Sequence, residues 1–221
     1  MFSIGHQIEH QLFEVFTIGG TANNARWRRL QSPNLKIEPR SAVVVDSVVY
    51  FLHDGIYSGL FSAPVEPDCI ASFDLETEEW GRDVQGPISS SLVLEDEEDM
   101  YQYLSMWRRL TLAELKGTLV LAYYLRCQAD LWFLTDFESG LWVKEYSIQT
   151  DSITKELPVE HSVKPLVVLG DGRLVVHVVP TGLLIIYDPR TNNFDKMGDR
   201  YIDAVAMYTG SVLSLPYGDI V

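Results

Sequence analysis

The chain has 221 residues, 47% of them hydrophobic, and 17 basic against 31 acidic side chains give a formal net charge of -14. That is enough apolar material for one sizeable domain or a single repeat array. An acidic surface of this strength repels phosphate backbones and anionic headgroups, which argues against nucleic acid and the membrane surface as partners.

The first eleven residues read as an N-terminal tail. "MFSIGHQIEHQLFEVF" has no basic start and is interrupted by Glu9 and Glu14, so it makes a poor signal peptide. His6 and His10 imitate a helical metal pair, but "HQIEH" lacks the glutamate next to the first histidine and no third ligand is evident. No apolar run reaches the roughly 18 residues that a spanning helix needs. The closest, "LVVHVVPTGLLIIYD", is broken by Pro180 and Gly182 and is rich in strand formers.

From residue 12 onward the chain repeats itself. "FDLETEEW" (73–80), "TDFESGLW" (135–142) and "YDPRTNNF" (187–194) share the pattern Asp, two residues, Ser or Thr, two residues, Trp or Phe. Random placement of these residue types predicts about 0.1 occurrences. The copies start at Asp74, Asp136 and Asp188, at intervals of 62 and 52 residues, and a degenerate copy ends at Trp27. An Asp after a strand can accept backbone N–H groups and close a turn, and the aromatic then opens the returning strand. Asp74, Trp80, Asp136, Trp142, Asp188, Phe194 and Trp27 are therefore expected as structural anchors rather than as a ligand cluster.

A second hairpin precedes each motif. "AVVVDSVVYFL" turns at Asp46-Ser47, "LAELKGTLVLAYY" at Lys116-Gly117 and "PLVVLGDGRLVVHVV" at Asp171-Gly172. Hairpin, connection, hairpin is the four-stranded blade of a β-propeller at a kelch-like period. In chain order, residues 12–30 supply two strands, 42–81, 109–147 and 165–197 a full blade each, and 203–215, turning at Thr209-Gly210, two more. Residues 216–221 form a C-terminal tail. The predicted fold is all-β and propeller-like, about four blades' worth. An open arc or truncated propeller is preferred to a closed ring, because four-bladed rings are uncommon.

Two stretches depart from the repeat. Residues 53–69 are an insertion inside the first full blade. Residues 81–107 link two blades and carry an acidic run at 95–99, after which Met100, Tyr101, Leu104 and Trp107 fall at helical spacing, so a short helix and a solvated link both fit. Loop aromatics outside a repeat are better placed to bind partners than those inside it. Tyr57, Phe61, Tyr101, Tyr103 and Trp107 are the candidates, and the alternative is that they cover a blade edge.

Chemistry is sparse. Cys69 and Cys127 make neither a disulfide framework nor a paired-cysteine zinc site, and their apolar surroundings suggest buried free thiols in the cytosol or nucleus. His177, in "LVVHVV", reads as a satisfied core histidine. No nucleophile elbow, Walker loop or dinucleotide fingerprint is present. No catalytic residue, cofactor or metal is expected.

The ordered set "EVFTIGG…WRRL", "AVVVDSVVYFL", "ASFDLETEEW", Gly86-Pro87, "LAELKGTLVLA", "DLWFLTDFESGLWVKEYSI", "GDGRLVVHV" and "LLIIYDPRTNNF" resembles the plant F-box-associated propeller domains of the type 3 and kelch-like class. The resemblance covers residues 12–215, and "DLWFLTDFESGLWVKEYSI" is its most specific piece. It implies a substrate-recognition part of an SCF-type ubiquitin ligase, binding a client protein without itself catalysing a reaction. In that family an F-box module binds the Skp1 adaptor of the cullin ligase, and nothing before Phe13 has room for one. Skp1 and cullin are therefore expected partners only if an F-box lies elsewhere in a longer protein. A form without an F-box would bind and protect its client. The alternatives are a carbohydrate-binding or glycosidase-like propeller, and a degenerate gene product.

Overall fold

The computed structural model describes residues 11–16, 27–33, 35–54, 66, 68–89, 106–125, 128–150, 162–179, 181–198, 202 and 205. They form antiparallel strands, turns and two 3-10 turns at Pro39–Ser41 and Trp107–Arg109. Strands β1 (Glu14–Phe16) and β2 (Trp27–Arg29) form a two-stranded sheet among the described residues. The next sheet holds β3 (Val43–Val45), β4 (Val48–Leu52), β5 (Cys69–Asp74) and β6 (Glu79–Trp80) in that order, with β7 (Val84–Gln85) also on β5. A third sheet is the meander β8 (Leu110–Leu115), β9 (Thr118–Leu125), β10 (Gln128–Asp136) and β11 (Leu141–Gln149). The fourth is β12 (Ser162–Val168), β13 (Leu174–Val179), β14 (Leu183–Asp188) and β15 (Asn193–Lys196). This is an all-β, propeller-like succession of blades. The strands expected over 203–215 lie outside the described residues. β7 was not anticipated: it occupies the start of what read as a link.

The hairpins form where the sequence turns. Asp46 and Ser47 have φ of 47° and 64°, and Lys116 and Gly117 have φ of 56° and 74°. Two successive positive φ values make the primed turn whose twist matches paired strands. At the third hairpin Gly172 alone takes positive φ, 88°, and Leu169 N donates to Arg173 O at 2.7 Å, giving a longer loop.

The repeated motif closes by a common geometry. Asp74 Oδ1 accepts from Glu76 N at 2.7 Å and Thr77 N at 2.9 Å. Asp136 Oδ1 accepts from Glu138 N at 2.9 Å, while Ser139 Oγ donates to Oδ2 at 2.7 Å. Asp188 Oδ1 accepts from Arg190 N at 2.9 Å. Four residues after each Asp the chain turns left-handed, at Glu78 (φ 58°), Gly140 (φ 65°) and Asn192 (φ 56°). That single inversion re-aims the strand so that Trp80, Trp142 and Phe194 pair with Phe73, Leu134 and Tyr187.

Two of the aromatic corners then tie their sheet to the one before. Trp80 Nε1 donates to Gln31 O at 2.8 Å, and Trp142 Nε1 to Gln85 O at 2.9 Å. Phe194 has no donor, and Tyr187, stacked on it at 4.9 Å, lies with its hydroxyl 3.5 Å from Ser147 O. The accepting residues follow the previous aromatic by four or five positions. Arginines reinforce the same seams: Arg28 pairs with Glu78, and Arg82 donates to Phe137 O, sits 4.9 Å over the Phe137 ring and lies 3.7 Å from Glu138. Trp27 differs. It is 66% exposed and packs on Phe16, because no sheet precedes β1–β2 among the described residues to receive it.

The third sheet is buried on both faces, and period-2 alternation sorts its side chains. Leu110, Leu112, Leu119, Leu121, Leu134 and Trp142 face the second sheet. Ala113, Leu115, Val120, Ala122, Leu131 and Phe133 face the fourth. The first strands lie side by side, with β8 against β12 and touching β3.

Two outcomes are expected. Trp142→Phe, which keeps the ring and loses the N–H, should lower unfolding free energy by about 1 kcal/mol, and Trp142→Ala by about 3–5 kcal/mol, read by urea denaturation. A silent Trp142→Phe would show that the indole bond to Gln85 does not hold the seam. The second concerns acid. Asp74 is held below the usual carboxylate range by the Thr77 and Glu76 amides, Asp136 by the Ser139 hydroxyl and amides, and Asp188 by the Arg190 side chain and amide. A depressed folded-state pKa stabilises above the unfolded value of about 3.9 and is lost as pH falls through the folded value. Melting temperature should therefore drop below about pH 4, and a variant with all three aspartates changed to Asn should show a flatter acid limb.

Candidate functional site

A cavity of about 350 Å³ opens between the 3-10 turn before β3, the end of β4, β8 and β12. Leu52 at the end of β4, Leu110 and Leu112 of β8, and Trp107 form its buried apolar floor. Glu38, Arg40, Asp54, Arg108 and Lys164 supply a charged rim, with Arg40 and Arg108 exposed. The walls are pinned by short-range bonding. Glu38 caps the 3-10 turn by accepting from Arg40 N at 3.1 Å. The Ser41 hydroxyl donates to Glu38 O at 2.6 Å and accepts from Leu52 N at 2.8 Å, fastening that turn to β4. Thr111 Oγ1 donates to Val163 O at 3.3 Å, closing the side between β8 and β12.

His53 lines the same cavity and begins a polar row across the second sheet. Ile37 bridges to His53, whose N donates to Cys69 O at 3.2 Å, and Cys69 is opposite Gln85 of β7. Strand alternation puts His53, Cys69 and Asp83 on one face. A donor atom from each lies within 4.8 Å of the others. His53 is 2% exposed, and neither ring nitrogen has a hydrogen-bond partner. Its Nε2 is 3.4 Å from Asp83 Oδ1, close enough for an ion pair but without hydrogen-bond geometry. The Cys69 thiol is pushed up to about 12 by burial, then by the Asp83 and Asp68 charges. A thiol held protonated beside an unoriented imidazole is the reverse of an activated nucleophile.

Directly beside this row Asp68 is wholly buried and organises the Gly86-Pro87 turn. Its Oδ2 accepts from Ile88 N at 2.5 Å and Ser89 N at 3.1 Å, and Oδ1 from Gln85 Nε2 at 2.8 Å and from the Ser89 hydroxyl. Gly86 must be glycine here: a Cβ would lie 2.6 Å from Asp68 Oδ2.

Of the residues singled out in the sequence, Tyr57, Phe61, Tyr101, Tyr103, Cys127, His6 and His10 lie outside the described residues. Trp107 is 9% exposed and lines the cavity. Cys69 is a free, half-buried thiol. His177 is a buried, satisfied histidine, with Nε2 3.0 Å from Ile202 O. The repeat aspartates stay apart, one per turn. Sequence reasoning missed His53, Asp68 and Asp83, and the cations Arg40 and Lys164 at the cavity. His53 and Cys69 are 16 residues apart, and only the β4–β5 register brings them together.

No family model matches the chain, and no curated protein is significantly similar to it. Among the described residues, no helix is long and apolar enough to cross a membrane.

Asp68→Asn turns an amide NH2 toward N–H donors and should cost about 2–3 kcal/mol of unfolding free energy. Gly86→Ala, which forces the same carboxylate aside, should destabilise comparably. Equilibrium urea curves check both, and a neutral Asp68→Asn would mean that the turn is held by something else.

Proposed function

We propose that this chain is a protein-binding domain that selects a client, as the resemblance to the F-box-associated propeller domains implies, working in the cytosol or nucleus without catalysing a reaction itself. The observation that carries the reading is the cavity at the convergence of the sheets. A buried floor of Leu52, Leu110, Leu112 and Trp107 inside a rim of Glu38, Arg40, Asp54, Arg108 and Lys164 fits a partner's anchor side chain, with the rim selecting its charged neighbours. The floor supplies affinity through desolvation, and the rim supplies discrimination.

The repeat side chains support the same reading by exclusion of roles. Asp74, Asp136 and Asp188 are spent on turns, and Trp80 and Trp142 on seams between sheets. None of these is left to act on a ligand. Attachment to a ligase is a separate matter: with Skp1 and cullin in the complex the domain delivers its client for ubiquitination, and without them it binds and protects it.

The test is affinity capture from source tissue with the wild-type chain and with an Arg40→Glu/Lys164→Glu variant, each checked by its melting temperature. A client enriched by the wild type should fall tenfold or more with the variant, equivalent to about 1.4 kcal/mol. Equal capture by both, or no protein enriched above a charge-matched control, overturns the reading. Skp1 and cullin in the wild-type eluate assign it to a ligase, and a retained client without them assigns it the protective role.

A further inference from the structure

The polar row of the second sheet offers chemistry that client binding does not use. We propose that His53, Cys69 and Asp83 form a mononuclear transition-metal site of the zinc class, with water completing a tetrahedral shell. Three observations carry this. The donor atoms lie within 4.8 Å of one another. His53 Nε2 and Asp83 Oδ1 are 3.4 Å apart yet share no hydrogen bond. Two ligand atoms at zinc-like bond lengths on a tetrahedral ion lie roughly 3.3 Å apart, so this pair already has the spacing of two corners of such a shell. Finally, the His53 side chain is 1% exposed and has no hydrogen-bond partner at either ring nitrogen. A buried imidazole without a partner is costly, and a metal ion supplies the missing one.

The donor set chooses the metal. One thiolate, one imidazole and one carboxylate suit Zn²⁺, Co²⁺ or Cu²⁺, whereas Mg²⁺ and Ca²⁺ require oxygen ligands. On binding, the Cys69 thiol gives up its proton to solvent and the M–S bond forms, while His53 ligates as the neutral ring and Asp83 as the carboxylate. The Asp83 side chain is 45% exposed, which provides the entry path. Bound there, the ion cross-links the end of β4, the start of β5 and the segment leading into β7.

This site shares only His53 with the lining of the client cavity, and its test uses metal alone. The full chain is stripped with chelator and titrated with Co²⁺, then Zn²⁺. One equivalent of Co²⁺ should bind with a thiolate-to-cobalt charge-transfer band, and the band should vanish in Cys69→Ser and survive in Cys127→Ser. Asp83→Asn, at an exposed position, should keep the metal-free melting temperature and weaken Co²⁺ binding tenfold or more. Zn²⁺ should raise the wild-type melting temperature and leave that of Asp83→Asn nearly unchanged. Sub-stoichiometric binding, a band that follows Cys127, or wild-type affinity in Asp83→Asn overturns the proposal. If Cys69→Ser does not fold, the Asp83→Asn titration decides alone.

Discussion

The structure depends on one backbone inversion. Four residues after each repeat aspartate the chain passes through the left-handed region, at Glu78, Gly140 and Asn192. Only one of the three is glycine, although the conformation costs a side-chain-bearing residue about 1–2 kcal/mol. The carboxylate makes it bearable, because its bonds to the amides fix the preceding residues and leave the inversion as the sole way back to the strand. Without it the returning strand would present the wrong face, and the aromatic six residues after the aspartate could not reach the neighbouring sheet.

That reach is what turns separate meanders into one object. A four-stranded sheet has two apolar faces and cannot bury either alone, so neighbours must be stacked in register. Apolar packing supplies most of the energy but tolerates sliding. The directional bonds from Trp80 to Gln31 and from Trp142 to Gln85 do not. The third seam has no such directional bond: Phe194 lacks a donor, and the hydroxyl of Tyr187, packed against it, donates to Asn192 Oδ1 at 3.0 Å in its own sheet and lies 3.5 Å from Ser147 O. At the other edge β8 lies against β12 and touches β3, and the cavity forms between β8, β12, the end of β4 and the turn before β3.

What was legible in the sequence was what is local. The motif, the hairpin turns at Asp46-Ser47, Lys116-Gly117 and Asp171-Gly172, and the alternation of β8–β10 are all written within about ten residues, and the corresponding strands are where they were expected. The burial of His177 was readable for the same reason, from its apolar neighbours. The left-handed positions were less so, since Glu78 carries no turn signature and only comparison of the three copies exposes it. β7 was hidden because two residues, Val84 and Gln85, pair with β5 through a turn whose determinant is Asp68, on the far side of that strand. The cavity and the His53 row were illegible in principle. Their residues come from segments up to 126 positions apart, Glu38 to Lys164, and only sheet order unites them.

The second sheet also breaks the repeat in a way that joins its two unusual features. In the third and fourth sheets the second and third strands are joined across short connections, from Leu125 to Gln128 and from Val179 to Leu183. In the second sheet the same connection runs from Leu52 to Cys69. A long connection at one position of an otherwise regular array is where a scaffold places recognition, because the rigid frame bears its closure entropy and the inserted residues are free to vary. Tyr57 and Phe61, singled out for partner binding, belong to this insertion. Its two stems are His53 and Cys69, joined by the bond from His53 N to Cys69 O. A metal held between those stems, with Asp83 as third ligand, would join them beside the cavity wall that His53 also lines. The polar residues that a sheet interior would normally exclude are thus gathered at the base of one of the two stretches that the repeat does not dictate.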